Sequence, residues 1–151
     1  SRLDFTAHDC PCGIGWLPRC GLLPQRRIRR EFALRLDRFP GVRVACIENG
    51  SRWVKFLFEQ FELAFGQMPK EFARHPIETF REHVWVSPFY EEPLVELAER
   101  IGVGQILFGS DYPHPEGLGR PLDYLNELAG FGEEDRRRIM SSNLKGLIAP
   151  A

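Results

Sequence analysis

The chain is short of the features that assign a protein quickly. No apolar run approaches the ~20 residues of a membrane-spanning helix, and there is no low-complexity tract or convincing internal repeat. Neither sign of charge dominates: 20 Lys and Arg against 21 Asp and Glu leave a formal net charge of −1. That balance gives no bulk attraction to nucleic acid or to an anionic membrane. The one basic cluster, Arg26–Arg30, is too short and isolated to change this and reads as a solvated segment. An initiator Met and a signal-peptide apolar core are both missing from "SRLDFTAHDC", which leads to the expectation of a cytoplasmic piece of something longer.

Cysteine is present without a pattern. Cys10, Cys12 and Cys20 sit with His8 in a Gly- and Pro-rich opening, but their spacing does not match the paired ligands of common zinc knuckles. Cys46 lies in "VRVACI" and is expected to be a small buried hydrophobe. What the chain does have is the composition of a folded domain, 43% hydrophobic and 27% charged over 151 residues.

The organisation changes near residue 30. Residues 1–30 show no periodicity and are expected to be irregular, whereas residues 31–151 read as one domain of alternating helices and short strands. "EFALRLDRF" predicts a helix stopped by Pro40–Gly41. "VRVACI" predicts a strand covered on both faces, and apolar residues every three or four positions from Val54 to Phe65 predict an amphipathic helix. A helical stretch interrupted by Pro69 and Pro76 leads to a strand "VWVS". Helix "PLVELAERIG" then ends at Gly102, "QILFGS" predicts a third strand, and helices "PLDYLNELAG" and "EEDRRRIMSSNLKGLI" close the chain. About 22 residues separate the second and third strands, enough for one right-handed crossover. The pattern is that of a parallel α/β fold.

In such folds function gathers past the carboxyl ends of the strands. Glu48, Asn49 and Ser51 follow the first strand; Ser87, Tyr90, Glu91 and Glu92 the second; Ser110, Asp111, Tyr112, His114 and Glu116 the third. Glu91 and Glu92 are explained by the positive N-terminus of the helix after them, and Asn49 or Ser51 by helix capping. Asp111 resists that account: it ends an apolar run, and Tyr-Pro-His-Pro cannot continue into a helix it could cap. A carboxylate on a stiff strand-end loop suits a divalent cation. His75 and His83 lie away from this rim and are assigned packing or surface roles.

Three stretches, "RFPGVRVACIENGSRWV", "REHVWVSPFYEE" and "ILFGSDYPHPEG", with a closing "NLKGL", resemble in order the second half of the amidohydrolase-related metal-dependent hydrolases, a group that includes non-oxidative decarboxylases. The likeness runs from Leu36 to Ala149. It implies the C-terminal portion of a (β/α)8 TIM barrel, about three to four βα units, and a mononuclear divalent metal, zinc first and manganese second. By the same resemblance Asp111 is the final metal ligand and general base. His114 orients Asp111 or the substrate loop, or only stiffens the turn, and Glu48 replaces, as a base or hydrogen-bond partner, a His that many members place there. The resemblance further implies hydrolysis or decarboxylation of a small carboxylate-type substrate, and self-association as a candidate assembly. A complete barrel needs roughly 250 residues, so a catalytically silent half-barrel is the competing expectation. A small Cys/His metal module on His8, Cys10, Cys12 and Cys20 is a third.

Overall fold

A computed structural model describes residues 36–149 of the chain. The irregular opening, with His8, Asp9, Cys10, Cys12, Cys20 and Arg26–Arg30, therefore lies outside the described residues. Within them, residues 36–38 are helical. They are followed by strand β1 (Val44–Cys46), helix α1 (Arg52–Gln67), a single 3-10 turn and helix α2 (Pro76–His83). Strand β2 (Val84–Val86) leads into α3 (Leu94–Ile101), and the chain then crosses to Ile106. Short α4 (Tyr124–Glu127) and the sequence α5 (Glu133–Arg137), a π turn (Arg138–Ser142) and α6 (Asn143–Ile148) complete it.

β1 and β2 are parallel, with Val44 opposite Val84 and Cys46 opposite Val86. The third strand expected over "QILFGS" shrinks to one parallel bridge, Val86 to Ile106. The reason is visible in the hydrogen bonds. Leu107 N–H still reaches Val86 O at 2.9 Å, but Phe108 N–H turns away to Ile139 O at 3.2 Å. Ile139 O is open to it because in the π turn Asn143 N–H bonds to Arg138 O, one residue further back than in an α-helix.

The core lies on the helix side of this short sheet. Val54, Phe58, Phe61 and Ala64 recur at helical spacing on α1 and are buried, as the periodicity predicts. Phe80 of α2 meets Phe58 edge-on at 5.1 Å and Trp53 at 6.0 Å, a geometry worth about 0.5–1.5 kcal/mol per pair beyond burial. Val84 and Val86 bury one face of β2 completely, and Trp85 on the other face is half-buried. The strand expected to be covered on both faces is β1, and it is not: Ala45 is exposed, and Val44 and Cys46 are half-buried. Cys46 is thus a border residue, packed on the core on one side only. Gly102 ends α3 at φ 88°, where a side chain would be strained.

Below the amino ends of the strands, buried His83 and Thr79 join half-buried Asp37 and Arg74 in a polar network, with Asp37 Oδ2 left buried and without a partner. His83 Nδ1 lies 2.7 Å from Val42 O. A carbonyl only accepts, so Nδ1 carries the proton and Nε2 is left to accept from Arg74 at 3.5 Å. Asp37 Oδ1 takes Thr79 Oγ1 at 3.2 Å and Arg74 Nε at 3.4 Å, and Arg74 also pairs with Glu82 at 2.5 Å. Hydrogen bonding to Arg74 holds the Glu82 carboxyl below the usual range. His83 and His75 are structural, as expected: His75 caps α2 by accepting Ile77 N–H at 3.3 Å.

Candidate functional site

Three loops leave the carboxyl ends of β1, β2 and the Ile106 chain, and two of them are held in an uncommon backbone state. Among the described residues, Glu48 (φ 60°) and Asp111 (φ 56°) are the non-glycine residues in the left-handed region. Left-handed geometry costs an L-residue roughly 1–2 kcal/mol, and such outliers gather at functional sites. Both fall just past a parallel strand end, with β2 between the two chains that carry them.

The Asp111 loop is closed on itself. Tyr112 N–H meets Ser110 Oγ at 3.4 Å, His114 N–H bonds to Asp111 O at 2.9 Å, Gly117 N–H to His114 O at 2.9 Å, and Leu118 N–H to Ser110 O at 2.8 Å. Gly117 packs so tightly on the Asp111 carbonyl that a Cβ has no room there. The Tyr112–Pro113 peptide is cis. These bonds use the Asp111 backbone; its half-buried carboxylate has no hydrogen-bond or ion-pair partner among the described residues. His114 and Glu116 are exposed on the same loop, and the fold brings neither side chain into a polar contact with the Asp111 carboxylate.

The Glu48 loop is held from outside. Asn49 Nδ2 reaches back to Ile47 O at 2.9 Å, and Trp53 Nε1 donates to Gly50 O at 2.9 Å. Ser51 occupies the N-cap position of α1, yet its side chain makes no cap bond. The acceptor comes instead from the next loop: Glu92 Oε2 takes Ser51 N–H at 2.7 Å and Phe89 N–H at 3.1 Å. Glu92 still precedes the N-terminus of α3, as the sequence reading has it, but its hydrogen bonds go to the α1 loop and α3 has no side-chain cap. Its carboxylate is buried, with Arg52 at 3.7 Å. No short-range signal shows this, because the partner lies 41 residues away. Beneath the rim, burial pushes the Cys46 thiol up to about 11.

An open cleft of about 450 Å³ lies between these loops, lined by Asn49, Arg52, Phe89, Glu91 and Glu92. A larger groove, about 760 Å³, runs between Leu122, Leu125 and Met140 and carries none of the strand-end acids. No group of three or more His, Cys, Asp or Glu residues among the described residues is placed to hold a metal ion. Catalytic zinc usually takes three protein ligands, so Asp111 alone does not make the site the sequence resemblance implies.

A family model, described as Amidohydrolase, matches residues 6–143. The chain belongs to the amidohydrolase family. The crystal structure of an amidohydrolase from Mycobacterium avium subsp. paratuberculosis K-10 is similar to it, with 40% identity and a TM-score of 0.76. That match covers 82% of this chain and 33% of the other, so the chain spans about a third of that relative's length. Among the described residues no helix is long and apolar enough to cross a membrane.

Proposed function

We propose that this chain is the C-terminal three to four βα units of a (β/α)8 barrel of a metal-dependent amidohydrolase. It would act by hydrolysis or non-oxidative decarboxylation on a small carboxylate-type substrate. The observation that carries the reading is Asp111: a left-handed acid just past a parallel strand end, whose loop fixes the backbone and leaves the carboxylate unpartnered among the described residues. In this reading Asp111 is one ligand for a divalent ion, zinc or manganese, and accepts a proton at its carboxylate. Glu48 stands across β2 as a second base or hydrogen-bond partner, and His114 orients the Asp111 loop. The remaining ligands would come from outside the described residues. A partial barrel without turnover is the second reading, favoured by the lack, among the described residues, of three His, Cys, Asp or Glu placed to hold a metal ion.

Titration of the 15N-labelled full chain with Mn2+ tests the assignment without requiring turnover. Binding is expected to be weak, with broadening strongest at the amides of residues 110–118 and lost in Asp111→Ala. Broadening centred elsewhere, or unchanged by Asp111→Ala, refutes the assignment. Stoichiometric tight zinc that survives Asp111→Ala but not replacement of Cys10, Cys12 and Cys20 moves the site to the cysteine-rich opening.

A further inference from the structure

We infer that Glu92 is a positioning residue for the rim: its buried carboxylate holds the Glu48 loop in its left-handed form and ties it to the Phe89 loop. The inference rests on the reading of Glu48 as a site residue.

Four observations converge on it. Glu92 is 8% exposed and sits on a loop where an acid would ordinarily face water. A buried carboxylate is costly unless hydrogen bonds replace its hydration. Here one oxygen accepts both the Ser51 and the Phe89 amides, donors from two different rim loops. The other oxygen closes over Gly50, where an added Cβ would come within 2.9 Å of Glu92 Oε1 and of the Phe89 ring. Gly50 is itself left-handed at φ 58°. From Glu48 to Ser51, then, the backbone holds two left-handed residues and ends on an amide whose acceptor is Glu92. The carboxylate also lies at the N-terminus of α1, a 16-residue helix, where negative charge is favoured and Ser51 supplies no cap.

The contrast with Glu91 sharpens the inference. Glu91 is exposed and accepts the Tyr90 hydroxyl, which raises the Tyr90 pKa. Adjacent acids of identical chemistry do different work: one faces solvent, and the other turns inward and links the ends of two parallel strands.

Removing the carboxylate frees the Ser51 and Phe89 amides and lets the Glu48 loop leave its strained form, with the core untouched. Glutamine keeps one carbonyl oxygen in the place of Oε2, so it can accept both amides and should restore the loop in large part.

Indole N–H signals give a local reporter and an internal control. Trp53 Nε1 donates to Gly50 O inside the loop, whereas Trp85 Nε1 donates to Gly104 O at 3.0 Å, outside it. In the 15N-labelled full chain, Glu92→Ala is expected to speed exchange of the Trp53 indole and of the Ser51 and Phe89 amides. An amide bonded to a charged acceptor should gain about tenfold to a hundredfold. Trp85 should not change, and the Glu48 HN–Hα coupling should leave its left-handed value. Glu92→Gln should recover that coupling and most of the protection. Unchanged Trp53 exchange in Glu92→Ala overturns the inference. So does a Glu92→Gln variant that fails as fully as Glu92→Ala, or a Trp85 that changes in step with Trp53, since the effect would then be global. None of these readings depends on catalysis, so failure of the proposed reaction would leave the result standing.

Discussion

The two ends of the short parallel sheet treat polar groups in opposite ways. Below the amino ends, His83, Thr79, Asp37 and Arg74 are drawn inward and joined to one another, and the backbone around them is ordinary. Above the carboxyl ends, Glu48 is exposed and Asp111 half-buried, their carboxylates lack partners among the described residues, and both backbones are strained. The base pairs all but one of these polar groups, Asp37 Oδ2 being buried without a partner, whereas strain maintained beside an unpartnered acid gains nothing for folding. The base is thus read as stability and the rim as function, and that difference can be tested by breaking each end.

The largest effect belongs to the packed body. Phe80 is fully buried between Phe58 and Trp53, and Phe80→Ala should lower unfolding free energy by about 3–5 kcal/mol in urea melts. A loss below about 1 kcal/mol would mean that the aromatic cluster is not the core of this fold.

A second measurement probes the border between the two regions. Cys46 sits at the last position of β1, and burial raises its thiol from 9.0 to about 11. At pH 8 it should therefore hold roughly a hundredfold less thiolate than an ordinary cysteine and alkylate correspondingly slowly. Peptide mapping separates it from Cys10, Cys12 and Cys20. The sign for stability follows. Between pH 9 and about 11 the unfolded thiol is ionised and the folded one is not, so this contribution is full below pH 9 and lost as pH rises towards 11. Rapid alkylation of Cys46 at pH 8 would place the border deeper than the structure does.

Asn143 gives a smaller effect. Its buried amide donates at 2.8 Å to both Val103 O and Ile106 O, fixing α6 to the turn between α3 and Ile106. Asn143→Ala leaves both carbonyls short of a donor and should cost about 2 kcal/mol in the same melts. Since Ile106 precedes the Asp111 loop by five residues, HN–Hα couplings will show whether the rim strain survives. Its survival would show that rim and base are energetically separate.

Much of this division could be read from the chain, and for definite reasons. Period-3.6 burial placed α1, a β-branched run placed β1, and Gly102 marked the end of α3, because each signal depends on near neighbours. Asp111 stood out because the Tyr-Pro-His-Pro after it rules out a nearby helix to cap. Other features are set by distant partners. The third strand was shortened by Ile139, which no local pattern connects to Phe108. Cys46 and Ala45 read as buried, but exposure of β1 depends on what covers it, not on its own residues. Glu92 read as no more than an acid at the positive N-terminus of α3 because its hydrogen-bond partner, Ser51, is far off in sequence.

The smallest effect is the most discriminating. Glu48→Gly relieves a left-handed geometry worth roughly 1–2 kcal/mol and adds back about 0.5–1 kcal/mol of unfolded-chain entropy. The net should be a gain of up to about 1 kcal/mol. Asp111→Gly should gain less, since aspartate tolerates this region better than glutamate, while still abolishing any Mn2+ broadening at residues 110–118. An acid that destabilises the fold it sits in and is needed only for binding is kept for chemistry. Conversely, if either glycine variant lost more than about 1 kcal/mol, the side chain would be carrying part of the fold. The rim would then resemble the base, and the strain at Glu48 and Asp111 could no longer be assigned to function.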